Sequence, residues 1–319
     1  MSDTLPNFQL LRPDTIQAAV AILHDTENAK LCAGGTDLIV NMRRGLATPK
    51  ALVDLTAIKE MQQITNDTEG LHIGAGVTLS ELAQNTPHSA IAQAALAIAG
   101  PGHRFAATVG GNLCLDTRCQ YYNQSHWWRK SNDFCLKYRG ETCHVAPSGN
   151  RCRAAFSGDL APALLVLGAE VDIANPQGIR RIPLAELYSG DGADYLTLAD
   201  NEIVTKIHLP PCSAKSVYGK IRIRGALDFP LAGVAIAAEK SARETRFRIA
   251  LTGTNSRPVL LDDPAPFTTN DSAETYFATL NKIVQKAASP QRSTITTPLF
   301  RKQSIGALAA RLAQGLAND

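Results

Sequence analysis

The sequence predicts a mixed α+β chain of two domains, interrupted near its middle by one long irregular segment. Three observations predict this. Stretches of strand length alternate with amphipathic helical stretches along the 319 residues without any G-x-G-x-x-G turn, so a doubly wound dinucleotide fold is not supported. The strand-like EIVTKIHLPP (202–211) closes on Pro210-Pro211, a natural place for one domain to end. The segment from Cys119 to Cys152 holds four of the seven cysteines, both tryptophans and three tyrosines in a background of Asn, Gln, Ser, Gly and Pro. It shows no sustained period of either strand or helix, and a loop of that length is not ordered by its own packing.

Composition narrows the classes. With 45% hydrophobic and 19% charged residues the chain is ordinary globular material, long enough for two domains or three small ones. A net charge of +3 is too mild to imply nucleic acid, and no RNP, helix-turn-helix or zinc-finger pattern occurs. No apolar run approaches bilayer length. The opening MSDTLPNFQLLRPDT lacks a basic region followed by an apolar run, so the thiols are expected to be reduced, as in the cytoplasm.

In chain order, DTIQAAVAILHDTENAK reads as a helix, with Asp14 as its expected N-cap and Ile16, Val20 and Leu23 on one face. LCAGGTDLIV (31–40) follows as a strand, the Gly34-Gly35 turn and an apolar stretch from Leu38. Such a turn can point backbone N–H groups at a phosphate, although a Gly-Gly pair is more often only a turn. Strand-then-helix readings fit 51–61 and 70–84. Residues 89–100 are helical and alanine-rich and stop at Gly100-Pro101-Gly102. A second glycine pair, entered from an apolar run, lies in AATVGGNLCLDT (106–117). Residues 156–190 resume helix, strand, turn and strand, and 202–211 is a strand. After the prolines, 217–240 and 245–261 are extended, with Arg246 and Arg248 on one face. Ile305, Leu308, Leu312 and Leu316 place a core-facing helix at the end.

Cys119, Cys135, Cys143 and Cys152 admit three readings. Disulfides need an oxidising compartment. Structural zinc, with His126 or His144 as further ligands, usually brings its ligands in close pairs, and no CxxC pair occurs here. An iron–sulfur cluster tolerates irregular spacing, because each thiolate binds its own iron corner. Spacing alone does not separate the last two. The basic residues of the segment (Arg118, Arg129, Lys130, Lys137, Arg139, Arg151, Arg153) form either a surface that steers an acidic partner or a solvated face.

LCAGGTDLIV, TVGGNL (108–113) and GDLAPALLVLGAEV (158–171), in that order, resemble the FAD-binding medium subunits of molybdenum hydroxylases, the relatives of xanthine oxidase and carbon monoxide dehydrogenase. The resemblance runs through nearly the whole chain. It implies an α+β, PCMH-type fold of two subdomains (about 1–56 and 57–213) and a smaller α+β domain from 214 to 319, with a three-stranded sheet and helices. The step from Asn112 to Asp159 is about forty residues longer than a tight connection needs. The extra piece, about 114–156, carries the four cysteines. In this the chain is similar to the beta subunits of 4-hydroxybenzoyl-CoA reductases, which hold an additional [4Fe-4S] cluster on such an insertion.

The resemblance implies site residues as well. Leu31, Cys32, Ala33, Gly34, Gly35, Thr36, Asp37 and Leu38 would form the first flavin turn, with Gly34, Gly35 and Thr36 donating to phosphates. Thr108, Val109, Gly110, Gly111 and Asn112 would form the second. Asp159 would accept from the ribose or adenine end of FAD, or else cap the helix behind it. Ile98 and Val204 match apolar positions flanking the flavin, and Lys220 a basic one. Cys119, Cys135, Cys143 and Cys152 would ligate the cluster, leaving Cys114 as a buried inert thiol. A large molybdopterin subunit and a small [2Fe-2S] subunit would complete a dimer of heterotrimers. Electrons would come from ferredoxin. The alternative is the FAD subunit of an oxidative molybdenum hydroxylase with a structural metal loop.

Overall fold

The computed structural model describes residues 5–225, 227–261, 264–292 and 296–318. The first 56 residues build a small parallel sheet from β1 (Gln9–Leu11), β2 (Ala29–Cys32) and β3 (Ala51–Asp54), in the order β1-β3-β2. Helix α1 (Ile16–Asp25) crosses from β1 to β2 and buries Ile16, Ala19, Val20 and Leu23. Its N-cap is Thr15, whose hydroxyl accepts from the Ala18 amide at 3.2 Å, not the expected Asp14. The two neighbours offer equivalent capping oxygens, and the backbone turns one residue later. Helix α2 (Leu38–Arg43) leaves the glycine turn that ends β2.

The second sheet is antiparallel, with β4 (Ile64–Asp67), β5 (Gly70–Gly74), β6 (Glu170–Asn175), β7 (Gly178–Pro183) and β8 (Ile203–Leu209) in the order β4-β5-β8-β6-β7. Between β5 and β6 the chain leaves the sheet for almost a hundred residues, in which α3 (Leu79–Asn85), α4 (Ser89–Ala97), α5 (Pro101–Arg104), α6 (Val109–Leu113), α7 (His126–Ser131) and α8 (Leu160–Leu165) occur. Period-two alternation sends Leu71, Ile73, Val171, Ile173, Ile207 and Leu209 to the core. His72, Asp172 and His208 lie on the other face, where Arg181 pairs with Asp172 at 2.7 Å.

At one end of this sheet Glu202 accepts both Arg180 Nε (2.9 Å) and Nη2 (2.8 Å), together with the Ala199 amide. These donors hold its carboxyl at about 2. A lowered folded value means stability that is present above the ordinary glutamate range and lost as pH falls from about 4.5 through about 2. Glu202→Gln is therefore expected to cost about 1 kcal/mol at neutral pH, a figure reduced for the half-exposed arginine. Urea melts at neutral pH and at pH 3 check this; the gap from the parent should narrow with acid.

The third sheet contains β9 (Lys215–Ile221), β10 (Ala232–Lys240) and β11 (Glu244–Thr252), the three long antiparallel strands expected of the last domain. The two-residue strands β12 (Val259–Leu260) and β13 (Phe267–Thr268) extend it to five. Helices α9 (Ala273–Ala287) and α10 (Pro298–Asn318) cover it, burying Phe277, Leu280, Val284, Ile305, Leu308, Ala309 and Leu316. Arg301 on α10 is buried and donates to the carbonyls of Leu231, Gln291 and Gly253, which pins that helix to β10 and β11. Helix α4 docks on β9, where Gln93 accepts the Tyr218 amide at 2.8 Å.

Candidate functional site: a glycine turn beside a cysteine minicore

Gly34 and Gly35 are required by geometry. A Cβ on Gly34 would stand 1.8 Å from the carbonyl oxygen of Ala106, and Gly35 takes φ +66° in the left-handed region. The turn thus presses its bare backbone against the segment entering α6. Among the described residues, the amides of Gly34, Gly35, Thr36 and Asp37 find no protein acceptor, since the first bonds of α2 start from Ile39 and Asn41. Gly34, Gly35 and Asp37 are partly buried, and partly buried backbone donors rarely stay unpaired. Four in succession at the start of a helix form a concavity suited to an anion such as a pyrophosphate.

The second turn is built differently. Thr108 caps α6 and accepts the Gly111 amide, while the amides of Val109, Gly110 and Asn112 go to Val77, Ala75 and Thr108. Its backbone donors are consumed inside the protein, so the turn contributes shape and not the free N–H groups a phosphate would need. Asn112 uses its side-chain oxygen to accept the Leu160 amide at 3.1 Å and so caps α8. That is the capping role the sequence reading offered to Asp159.

Asp159 makes no cap bond. Its carboxylate is buried, accepts from the Tyr218 hydroxyl and pairs with Lys220 Nζ at 3.0 Å. Burial pushes the Asp159 carboxyl up, against the pull of Lys220 and Tyr218. Lys220 also donates to the Ala97 carbonyl at 3.0 Å, next to Ile98, which is partly buried against the main core. Asp159 and Lys220 thus form a buried pair between α8 and β9. Val204 is likewise a core residue of β8, 5% exposed. Lys220→Met is expected to cost about 2 kcal/mol, at the low side for a broken buried pair because Asp159 can take a proton. The raised carboxyl makes the deficit grow from acid to neutral pH, which thermal melts across that range measure.

The cysteine segment folds over the far end of α2. Cys119, Cys135 and Cys152 pack into a minicore with Leu46, Tyr122 and Ala154, and Cys143 is buried too. All seven cysteines are free thiols. Burial, reinforced by Cys135 and Cys143, pushes the Cys119 thiol up to about 11. Burial, with Cys143 and Cys119 adding to it, pushes Cys152 up to about 12. Cys119, Cys135 and Cys152 therefore share one compartment. Among the described residues no three His, Cys, Asp or Glu side chains are arranged to hold a single metal ion. Thiolates around a cluster stand farther apart than around one ion, since each binds a separate iron. Four buried cysteines are the donor type and number that a thiolate-bound cluster takes.

Arg118, Arg129 and Lys137 close this compartment, whereas Lys130, Arg139 and Arg151 lie exposed as their sequence pattern allows. Arg118 pairs with Asp37 on the glycine turn and donates to Asn41 at 3.3 Å. Lys137 Nζ meets Asp116 at 2.7 Å and the Gly192 carbonyl at 2.7 Å. Arg129, only 1% exposed, donates to the Gly45 carbonyl at 3.1 Å. His144 bonds to the Phe134 carbonyl through Nε2. Burial also pushes the Cys114 thiol up to about 12.

Residues 6–212 match the family model described as the FAD binding domain in molybdopterin dehydrogenase. The chain belongs to this family. These flavin subunits include the FAD-binding subunit of an Escherichia coli aldehyde oxidoreductase, 31% identical over 79% of this chain and 82% of that protein. The carbon monoxide dehydrogenase medium chain of Hydrogenophaga pseudoflava is 27% identical over 77% of this chain and 75% of its own length. Quinoline 2-oxidoreductase from Pseudomonas putida 86 shares the fold, with TM-score 0.78 over 99% of this chain and 98% of that one, at 18% identity. The chain is thus an FAD-binding oxidoreductase subunit of α+β fold, and no described helix is long and apolar enough to cross a membrane.

Proposed function

We propose that this flavin subunit belongs to a molybdenum enzyme of the 4-hydroxybenzoyl-CoA reductase type, working in the cytoplasm. In this reading it carries electrons between a low-potential donor of ferredoxin type and a small partner subunit with [2Fe-2S] clusters. The aromatic thioester is dehydroxylated at molybdenum on a large partner, within a dimer of heterotrimers. One observation supports this above the others: α2 joins the glycine turn to the cysteine minicore. Asp37, at its start, is held by Arg118, while Gly45, just past its end, is held by Arg129 and Leu46 packs among the cysteines. A helix of six residues is about 9 Å long, so the two places are neighbours.

FAD bound at the turn supplies exchange between one- and two-electron chemistry, and four thiolates holding iron supply single-electron transfer. The chain's own part is to hold and insulate. The amides from Gly34 to Asp37 receive the phosphates, and Cys119, Cys135, Cys143 and Cys152 supply the sulfur ligands. Tyr122, Tyr138 and Phe134 limit water, which raises the influence of nearby charges. Lys130, Arg139 and Arg151 remain exposed on the segment and suit an acidic donor.

The relatives' names favour a second reading, the FAD subunit of an oxidative dehydrogenase, in which the loop would carry a structural metal. Metal, sulfide and flavin analysis of the anaerobically purified chain separates the two. The first reading expects one FAD with about four irons and as many sulfides. One zinc without sulfide would establish the second.

A further inference from the structure

Among the described residues of the cysteine segment, Arg129 and Asn123 keep buried donors without a partner, and of the two Arg129 carries a charge. It lies on α7 and is 1% exposed, yet only Nη2 has a hydrogen-bond partner, the Gly45 carbonyl. Nε and Nη1 are buried with none. Among the described residues it has no carboxylate within ion-pair distance, whereas Arg118 has Asp37 and Lys137 has Asp116. The guanidinium lies over the rings of Tyr138, at 4.4 Å, and Tyr122, at 5.9 Å. Ring faces attract a cation but supply no counter-charge. A buried, uncompensated arginine costs several kcal/mol, and arginine cannot escape by losing its proton.

The counter-charge has to come from what its neighbours hold. Tyr122 and Tyr138 pack in the same minicore as Cys119, Cys135 and Cys152. The Tyr138 amide bonds to the Cys135 carbonyl at 2.7 Å, and the Phe134 amide to the Arg129 carbonyl at 2.8 Å. We infer that Arg129 is the internal counter-ion of an anionic thiolate-bound cluster, and that its fixed positive charge raises the reduction potential of that cluster. A cluster with four thiolates is negative and becomes more so on accepting an electron, so a cation held in a dry compartment favours the reduced state. Arg129 is in this sense a tuning residue and ligates nothing. The inference rests on the iron–sulfur reading above.

The test uses the full chain purified anaerobically as wild type, Arg129→Gln and Arg129→Lys. Iron, sulfide and FAD contents are measured first, then the midpoint potential by redox titration followed by electron paramagnetic resonance. Arg129→Gln is expected to keep FAD and to lower the equilibrium constant for reduction at least tenfold, about 59 mV for one electron. Arg129→Lys, which keeps the charge, should stay within about threefold of wild type. An unchanged potential in Arg129→Gln overturns the inference. If Arg129→Gln keeps FAD but not iron, recovery of iron in Arg129→Lys supports a requirement for charge, and an equal loss in both overturns it. Wild type without iron would instead sink the underlying reading.

Discussion

Replacing Cys135 with serine is expected to strip the iron from the chain while leaving its flavin bound. Cys135 sits in a sharply turned part of the segment. Asp133, Phe134 and Arg139 around it all take positive φ, between 55° and 62°, and its carbonyl accepts the amides of both Tyr138 and Gly140. That scaffold is made by backbone atoms, which serine preserves. A hydroxyl of nearly the same volume costs little packing but is a poor ligand for iron, so one corner of the cluster loses its anchor. The amides from Gly34 to Asp37 are on the other side of α2 and touch none of this. Iron and FAD contents, with the visible spectrum, measure the outcome. Full iron in the variant would show that Cys135 is not a ligand; simultaneous loss of flavin would show that the two places fold as one.

Why some of this was legible in the sequence and some was not follows from the range of the interactions. The strand, Gly34-Gly35 and the helix from Leu38 are a local device, so residue order alone showed it. The four cysteines were visible because four of the seven in the chain crowd one short stretch, a density that residue order alone displays. Asp159 and Lys220 are 61 positions apart, and nothing near either announces a partner. Arg129 lies in a basic, loop-like stretch that reads as surface until Tyr122, Tyr138 and Gly45 close over it. The engaged amides of α6 depend on Ala75 and Val77, contributed from before α3. Helix α9 is a different case. Its signal was present, with Ser272 as N-cap, Glu274 in the first turn and Phe277, Leu280 and Val284 at helical spacing.

Gly34→Ala is expected to abolish tight flavin binding, and more completely than any change to a polar side chain of the turn. The methyl would enter to 1.8 Å from Ala106 O and 2.4 Å from its carbonyl carbon. Both are backbone atoms, so no rotamer change relieves the clash. The segment is fixed from behind, because the Ala107 carbonyl accepts the Leu79 amide at 2.9 Å and Thr108 bridges to Thr78. The turn must therefore move away, at about 3 kcal/mol for overpacking against a rigid partner. That movement separates the four free amides from the second turn and spoils the anion concavity. A loss of about 100-fold in affinity corresponds to roughly 2.7 kcal/mol, of the order expected when two charge-assisted bonds are misplaced. Thr36→Ala makes the comparison, since Thr36 is exposed and its amide survives the change, so it should keep most of the affinity. Flavin titration of the deflavinated chain measures both. Equal binding by Gly34→Ala and the parent would mean that the turn does not carry the phosphates.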